Sequence, residues 1–161
     1  MSNVVIRIAG PEDAGIIHDL VCRLASYEKL SHEVASTPEH FRRALTDPRS
    51  TLKILIAETD GQTAGFALYF ETFSTFVGRP GLYLEDLFVL PQYRRNGIAS
   101  ALFDEIIRLA EAGNYGRIEW SVLDWNEPAI QFYTRKRGAK VLREWLRCRI
   151  TLGAPEPQGE L

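Results

Sequence analysis

The chain has 161 residues, 45% hydrophobic and 25% charged, the make-up of one water-soluble globular domain. Nineteen Lys and Arg against 21 Asp and Glu leave a formal charge of −2, which excludes a globally basic nucleic-acid binder. Cys22 and Cys148 make neither a disulfide framework nor a zinc signature, and no apolar run is long enough to cross a bilayer. Residues 1–8 carry no secretory core, so a cytoplasmic protein is expected, with no metal, no nucleic acid and no membrane as partner.

Taken in chain order, residues 4–8 alternate and predict a first strand. Pro11-Glu12-Asp13 opens a helix with acids suited to its first turn, and Ile16, Ile17, Leu20, Val21 and Leu24 mark its apolar face. Thr37-Pro38-Glu39 starts a second helix with a cap, a Pro at the first helical position and an acid; Phe41 and Leu45 continue its face. Residues 52–58 and 63–72 predict two strands joined at Asp60-Gly61, a hairpin turn signal. Residues 83–89 predict a fourth strand and residues 118–123 a fifth, with a long helix between them spaced by Ile98, Leu102, Ile106 and Leu109. Glu127-Pro128 opens a helix carrying Ile130 and Tyr133. Leu142, Leu146, Cys148, Ile150 and Leu152 occupy alternate positions of a final strand or hairpin. The order β-α-α-β-β-β-α-β-α-β predicts an α/β (α+β) fold with a mixed, mostly antiparallel central sheet flanked by helices. One domain over residues 1–153 is expected, followed by a flexible tail at 154–161.

The most informative stretch runs Tyr83-Leu84-Glu85-Asp86-Leu87-Phe88-Val89-Leu90-Pro91-Gln92-Tyr93-Arg94-Arg95-Asn96-Gly97-Ile98-Ala99-Ser100. A strand passes through a short turn straight into a helix. Such a turn presents backbone N–H groups at a helix N-terminus, where the dipole favours an anion. Arg94 adds a fixed positive charge, and Gly97 lets a ligand approach the backbone. The local physics therefore predicts a phosphate or pyrophosphate at residues 94–100. It is not a Walker A loop, because no Gly-Lys-Ser/Thr follows.

The segment Arg94-Arg95-Asn96-Gly97-Ile98-Ala99 resembles the R/Q-x-x-G-x-G/A pyrophosphate motif of the GNAT acetyltransferase superfamily. Three further phrases resemble its diamine (spermidine/spermine) and thialysine acetyltransferases: Ala25-Ser26-Tyr27-Glu28, Tyr83-Leu84-Glu85-Asp86, and Asp124-Trp125-Asn126-Glu127-Pro128 followed by Phe132-Tyr133. The resemblance implies acetyl-CoA as co-substrate and direct attack of a primary amine on its thioester in a ternary complex. An alkylammonium must first lose a proton, at a cost of roughly 4 kcal/mol near neutral pH, so a base helps. The resemblance gives that role to Glu85, and gives Tyr133 the protonation of the departing thiolate. It implies cofactor contacts from Leu87, Phe88 and Val89, from Arg94, Arg95, Asn96, Gly97, Ile98, Ala99 and Ser100, and from Asn126 and Tyr133. Tyr27, Glu28 and Glu85 would line the acceptor side. Strand alternation sets Asp86 on the face opposite Glu85, so the two are not expected to form a carboxylate dyad.

The sequence departs from the family in three places. Arg95 stands where relatives usually carry Gly. Gly138 comes five residues after Tyr133 where the family takes four, so the helix end holds one extra residue. Arg143-Glu144-Trp145 replaces an acidic stretch of the polyamine enzymes, which separates acetyl transfer from polyamine specificity. A small cationic amine is the expected acceptor and a homodimer the expected assembly. The rivals are a protein or peptide N-acetyltransferase and a catalytically silent acyl-CoA-binding module.

Overall fold

The structure is a computed structural model and describes residues 3–153. Its elements are β1 (Val4–Ile8), α1 (Ala14–Tyr27), α2 (Pro38–Thr46), β2 (Lys53–Thr59), β3 (Gln62–Ser74), β4 (Arg79–Val89), α3 (Ile98–Ala112), β5 (Ile118–Trp120) and α4 (Glu127–Gln131). The chain groups into two compact units, one up to Ser121 and one from Val122 on. The expected tail at 154–161 lies outside the described residues.

In the first unit the sheet order is β1-β2-β3-β4-β5. The first four strands run antiparallel, and β5 joins β4 in parallel. The β2–β3 turn falls where the sequence predicts it, with Asp60 at φ 51° and Gly61 at φ 74°. Two positive φ values suit the right-handed twist of a tight hairpin. At the first helix the expectation shifts slightly. Pro11–Asp13 forms a 3-10 turn and α1 begins at Ala14. Asp13 is buried; it accepts two bonds from the Arg7 guanidinium at 2.9 Å and one from the Gly10 N–H. It ties β1 to the start of α1. Thr37 and His40 close a reciprocal cap on α2, as the Thr-Pro signal leads one to expect.

One face of the sheet carries α1 and α2. Ile17, Leu20 and Leu24 of α1 pack with Ile54, Ile56, Phe66, Leu68, Phe88 and Leu90, and Phe41 and Leu45 of α2 lie against them. The other face carries α3, whose Ile98, Leu102, Phe103 and Ile106 are buried.

β4 changes face partway. Leu84 pairs with Tyr69 but Asp86 pairs with Leu68, so Glu85 is an extra residue without a cross-strand partner on β3, a β-bulge. Leu82 and Leu84 share a face with Glu71 and Tyr69, whereas Asp86 and Phe88 share one with Leu68 and Phe66. The bulge thus moves even-numbered side chains of β4 from the α3 side to the α1 side.

β5 is shorter than predicted. Its ladder with β4 covers only Leu82, Tyr83 and Leu84, opposite Ile118, Glu119 and Trp120. The expected continuation to residue 123 is not strand, because β4 bends at its bulge just where the ladder ends.

In the second unit, α4 is followed by a π-helical turn over Phe132–Lys136. This wider turn is where the extra residue before Gly138 is absorbed. Gly138 has φ 69°, and the Ala139 N–H returns to the Tyr133 carbonyl at 3.0 Å. The predicted strand or hairpin across residues 142–152 is absent: residues 139–153 carry neither helix nor strand. Leu146, Ile150 and Leu152 are exposed. Alternation fixes which side chains would share a face, but a strand also needs a ladder partner for its backbone groups.

Candidate functional site

The geometry of the site starts from the bulge. β3 covers one flank of β4 up to Val89, while the β5 flank is laddered only to Leu84. Among the described residues, 85–89 have no strand on that second flank. The Leu90 N–H donates to the Ala64 carbonyl at 2.8 Å. Antiparallel pairing alternates, so the N–H and C=O groups of Leu87 and Val89 point to the open flank. The Val89 carbonyl is met there by the Arg94 Nε–H at 3.0 Å. This edge includes Leu87 and Val89, for which the family resemblance implies cofactor contacts.

The strand then runs through a 3-10 turn, Pro91–Tyr93, into the loop that precedes α3. Gly97 is the residue before the helix, at φ 79° and ψ 0°, and offers no side chain to cap it. The first helical bond runs from the Ala101 N–H to the Gly97 carbonyl. The amides of Ile98 and Ala99 sit at the positive end of the helix, in its first turn. Arg95 also adopts the left-handed region, at φ 65°. Arg95 thus holds a conformation that costs roughly 1–2 kcal/mol for a residue with a Cβ. Arg95, Asn96 and Gly97 are exposed. The loop thus joins a left-handed Gly97 to the positive end of α3.

Arg94 is placed differently from Arg95. It is half-buried. Its guanidinium carbon lies 4.6 Å from the centroid of Tyr27 and 5.6 Å from that of Phe88. Tyr27 and Phe88 are 6.3 Å apart by centroids. The end of α1, the open half of β4 and the loop thus meet at one arginine.

Glu85 and Glu28 lie close enough to Asp86 for their charges to act on it. Asp86 is half-buried and its pKa is pushed up to about 7, first by burial, then by the charges of Glu85 and Glu28. Burial also raises Glu28. Glu85, the bulged residue, is exposed. Strict alternation does not anticipate the face that Asp86 takes, because a bulge resets the parity of a strand. The readable signal is the pair itself: two acids in an otherwise apolar strand. Asp86 is raised by burial and by two like charges, the condition under which a carboxyl holds its proton near neutrality.

Asn126 and Tyr133 belong to the second unit. Asn126 is buried and its side-chain oxygen accepts from the Ala129 N–H at 3.4 Å, which caps α4. Tyr133 lies in the π turn, half-buried, with the Phe132 ring edge-on at 5.4 Å. His18, His32 and His40 take part in local contacts, and no group of three metal-binding side chains occurs among the described residues.

Residues 17–139 match the model of the acetyltransferase (GNAT) family. The chain is similar to the thialysine N-epsilon-acetyltransferase of Mus musculus, 34% identical over 93% of this chain and 94% of that one. It is similar to the L-ornithine N5-acetyltransferase of Arabidopsis thaliana, 28% identical over 91% of this chain and 83% of its relative. Among solved structures, an integron cassette protein from the mobile metagenome of V. cholerae shares the fold, with a TM-score of 0.75 at 24% identity over 92% of each chain.

Proposed function

Because the chain belongs to the GNAT acetyltransferase family and is an N-acetyltransferase, we propose that it moves an acetyl group from acetyl-CoA to the primary amine of a small cationic amino acid or diamine. The observation that carries this reading is the parting of β4 from β5 at the Glu85 bulge. It leaves backbone donors beside a carboxyl cluster and one short turn from an anion loop. The amine class is supported by the relatives that act on thialysine and ornithine and by the acidity of the cluster.

Acetyl-CoA, when bound, supplies the activated acyl thioester. The amides of 95–100 would hold its phosphates, and the outward backbone of Leu87 and Val89 its arm. The Val89 N–H would meet the charge that develops on the acyl oxygen. An ammonium docking beside Asp86 favours its ionised form. The carboxylate so formed is available to accept the amine's proton. Glu85 is the contact for the nitrogen, and Asp86 shares the proton. Tyr133 is the proposed acid for the thiolate, on its place in the motif. A homodimer in the cytoplasm is proposed with this reading, and the exposed apolar residues Leu146, Ile150 and Leu152 support the dimer; light scattering tests it.

The test is CoA-thiol release from acetyl-CoA against thialysine, ornithine, lysine, putrescine, spermidine and a basic peptide. Turnover confined to the small amines is expected. Turnover confined to the peptide refutes the substrate class, and silence with CoA bound points to a binding module. In the same assay Tyr133→Phe is expected to lower kcat by about 10²-fold or more while CoA affinity stays. An unchanged kcat removes Tyr133 from the mechanism.

A further inference from the structure

Two arginines stand side by side in the loop before α3, and the structure uses them differently. The Arg94 guanidinium is planar and weakly hydrated, so its faces suit aromatic rings while its edge donates. Here it does both: it lies near the faces of Tyr27 and Phe88 and donates to the Val89 carbonyl. These three partners belong to the acceptor end of α1, the core face of β4 and the open flank of β4. Arg95 has no such seat; it is exposed beside Asn96 and Gly97, at the mouth of the amide-lined turn.

We infer that Arg94 is a positioning residue for the acceptor side, fastening Tyr27 to the open half of β4, and that Arg95 supplies the loop's charge toward the phosphates. The inference rests on the acetyl-CoA reading above and divides its charges differently from the motif, which pairs the first arginine with the cofactor. The physical reason is competition. A guanidinium already engaged by two rings and a carbonyl gives up those contacts to reach an anion. An arginine held out in the left-handed region loses nothing. The consequence reaches the carboxyl cluster. α1 ends with the Glu28 N–H on the Leu24 carbonyl and the Leu30 N–H on the Ala25 carbonyl, so Tyr27 and Glu28 move as one turn. Releasing Tyr27 lets Glu28 drift from Asp86.

The experiment uses the full chain and four variants: Arg94→Gln, Arg94→Lys, Tyr27→Leu and Arg95→Gln, with the double variant of the first and third. CoA affinity is measured by calorimetry, and the KM of the best amine at saturating acetyl-CoA. Backbone hydrogen exchange of residues 24–30 is followed in the CoA-free protein. Arg94→Gln and Tyr27→Leu should each raise the amine KM about fivefold and speed exchange at 24–30, leaving CoA affinity within about twofold. The double variant should be no worse than the worse single, since one contact is removed twice. Arg94→Lys should not rescue, because an ammonium cannot fill a planar stack. Arg95→Gln should weaken CoA about fivefold, less so at high salt. CoA affinity that falls tenfold in Arg94→Gln, with amine KM and exchange unchanged, overturns the inference. Wild-type protein that binds no CoA overturns the cofactor reading and this one with it.

Discussion

The two halves of β4 are built to different ends. Residues 82–84 have strands on both flanks, and Leu82 and Leu84 are fully buried. Residues 85–89 keep β3 on one flank and open the other, and they hold the exposed Glu85 and the half-buried Asp86. The first half contributes stability through apolar burial and a complete ladder. The second gives up part of both and gains backbone donors and carboxyls that a ligand can use. A single inserted residue at the bulge separates them, which is why bulges recur beside active sites.

Substitutions can break this contrast in graded steps. The largest effect is expected from Val89→Pro, which removes an N–H that faces the open flank and no bond to β3. Turnover should fall about 10²–10³-fold with the fold intact, because an oxyanion donor is lost. A variant that unfolds instead, by circular dichroism, would mean the N–H belongs to the ladder.

Leu82→Ala tests the sealed half. It should cost about 3 kcal/mol, since a fully buried side chain leaves a cavity, and lower the Tm by roughly 6–12 °C. CoA affinity should hold; a parallel loss of affinity would show that the two halves are not independent.

Asp86→Asn comes next and depends on pH. The pKa of Asp86 is raised from 3.8 to about 7, so the native state binds this proton more tightly than the unfolded chain does. Its favourable contribution is fully present below about pH 4 and is lost as the pH rises through about 7. Asp86→Asn should therefore be about 2 kcal/mol more stable than wild type near pH 8 and equal to it near pH 3.5, the full linkage value being reduced for partial exposure. Its kcat/KM should also lose the rise through about pH 7. Denaturant titration at the two pH values decides the first part, and a flat difference would refute the raised pKa.

The smallest effect belongs to Arg95→Gly. It should gain about 1 kcal/mol by relieving the left-handed arginine, while weakening CoA. A loss of stability would mean that the Arg95 side chain is held by contacts that offset its strain.

Much of the site was legible in order along the chain. Asp60-Gly61 announced its turn, Thr37-Pro38 its helix, and Gly97 the turn into α3, because each of these signals is local and lies in backbone freedom or capping. The π turn at Phe132–Lys136 carried no sequence signal of its own. The register shift at Glu85 was not legible, because period-2 alternation holds only while the register does, and the shift is set by how β3 meets β4. The role of Arg94 was likewise out of reach, since Tyr27 lies 67 positions before it and only packing brings its ring under the guanidinium.

The sequence by itself determined the helix starts, the hairpin turn, the apolar faces and the identity of the acids and bases, since these depend on neighbours within a turn or two. The tertiary structure decided which side Asp86 faces, how far β5 runs along β4, which of two adjacent arginines is stacked, and whether the alternating residues 142–152 become strand. Each of those outcomes depends on a partner distant in sequence: a ladder to complete, a ring to cover, or a charge to hold a proton in place.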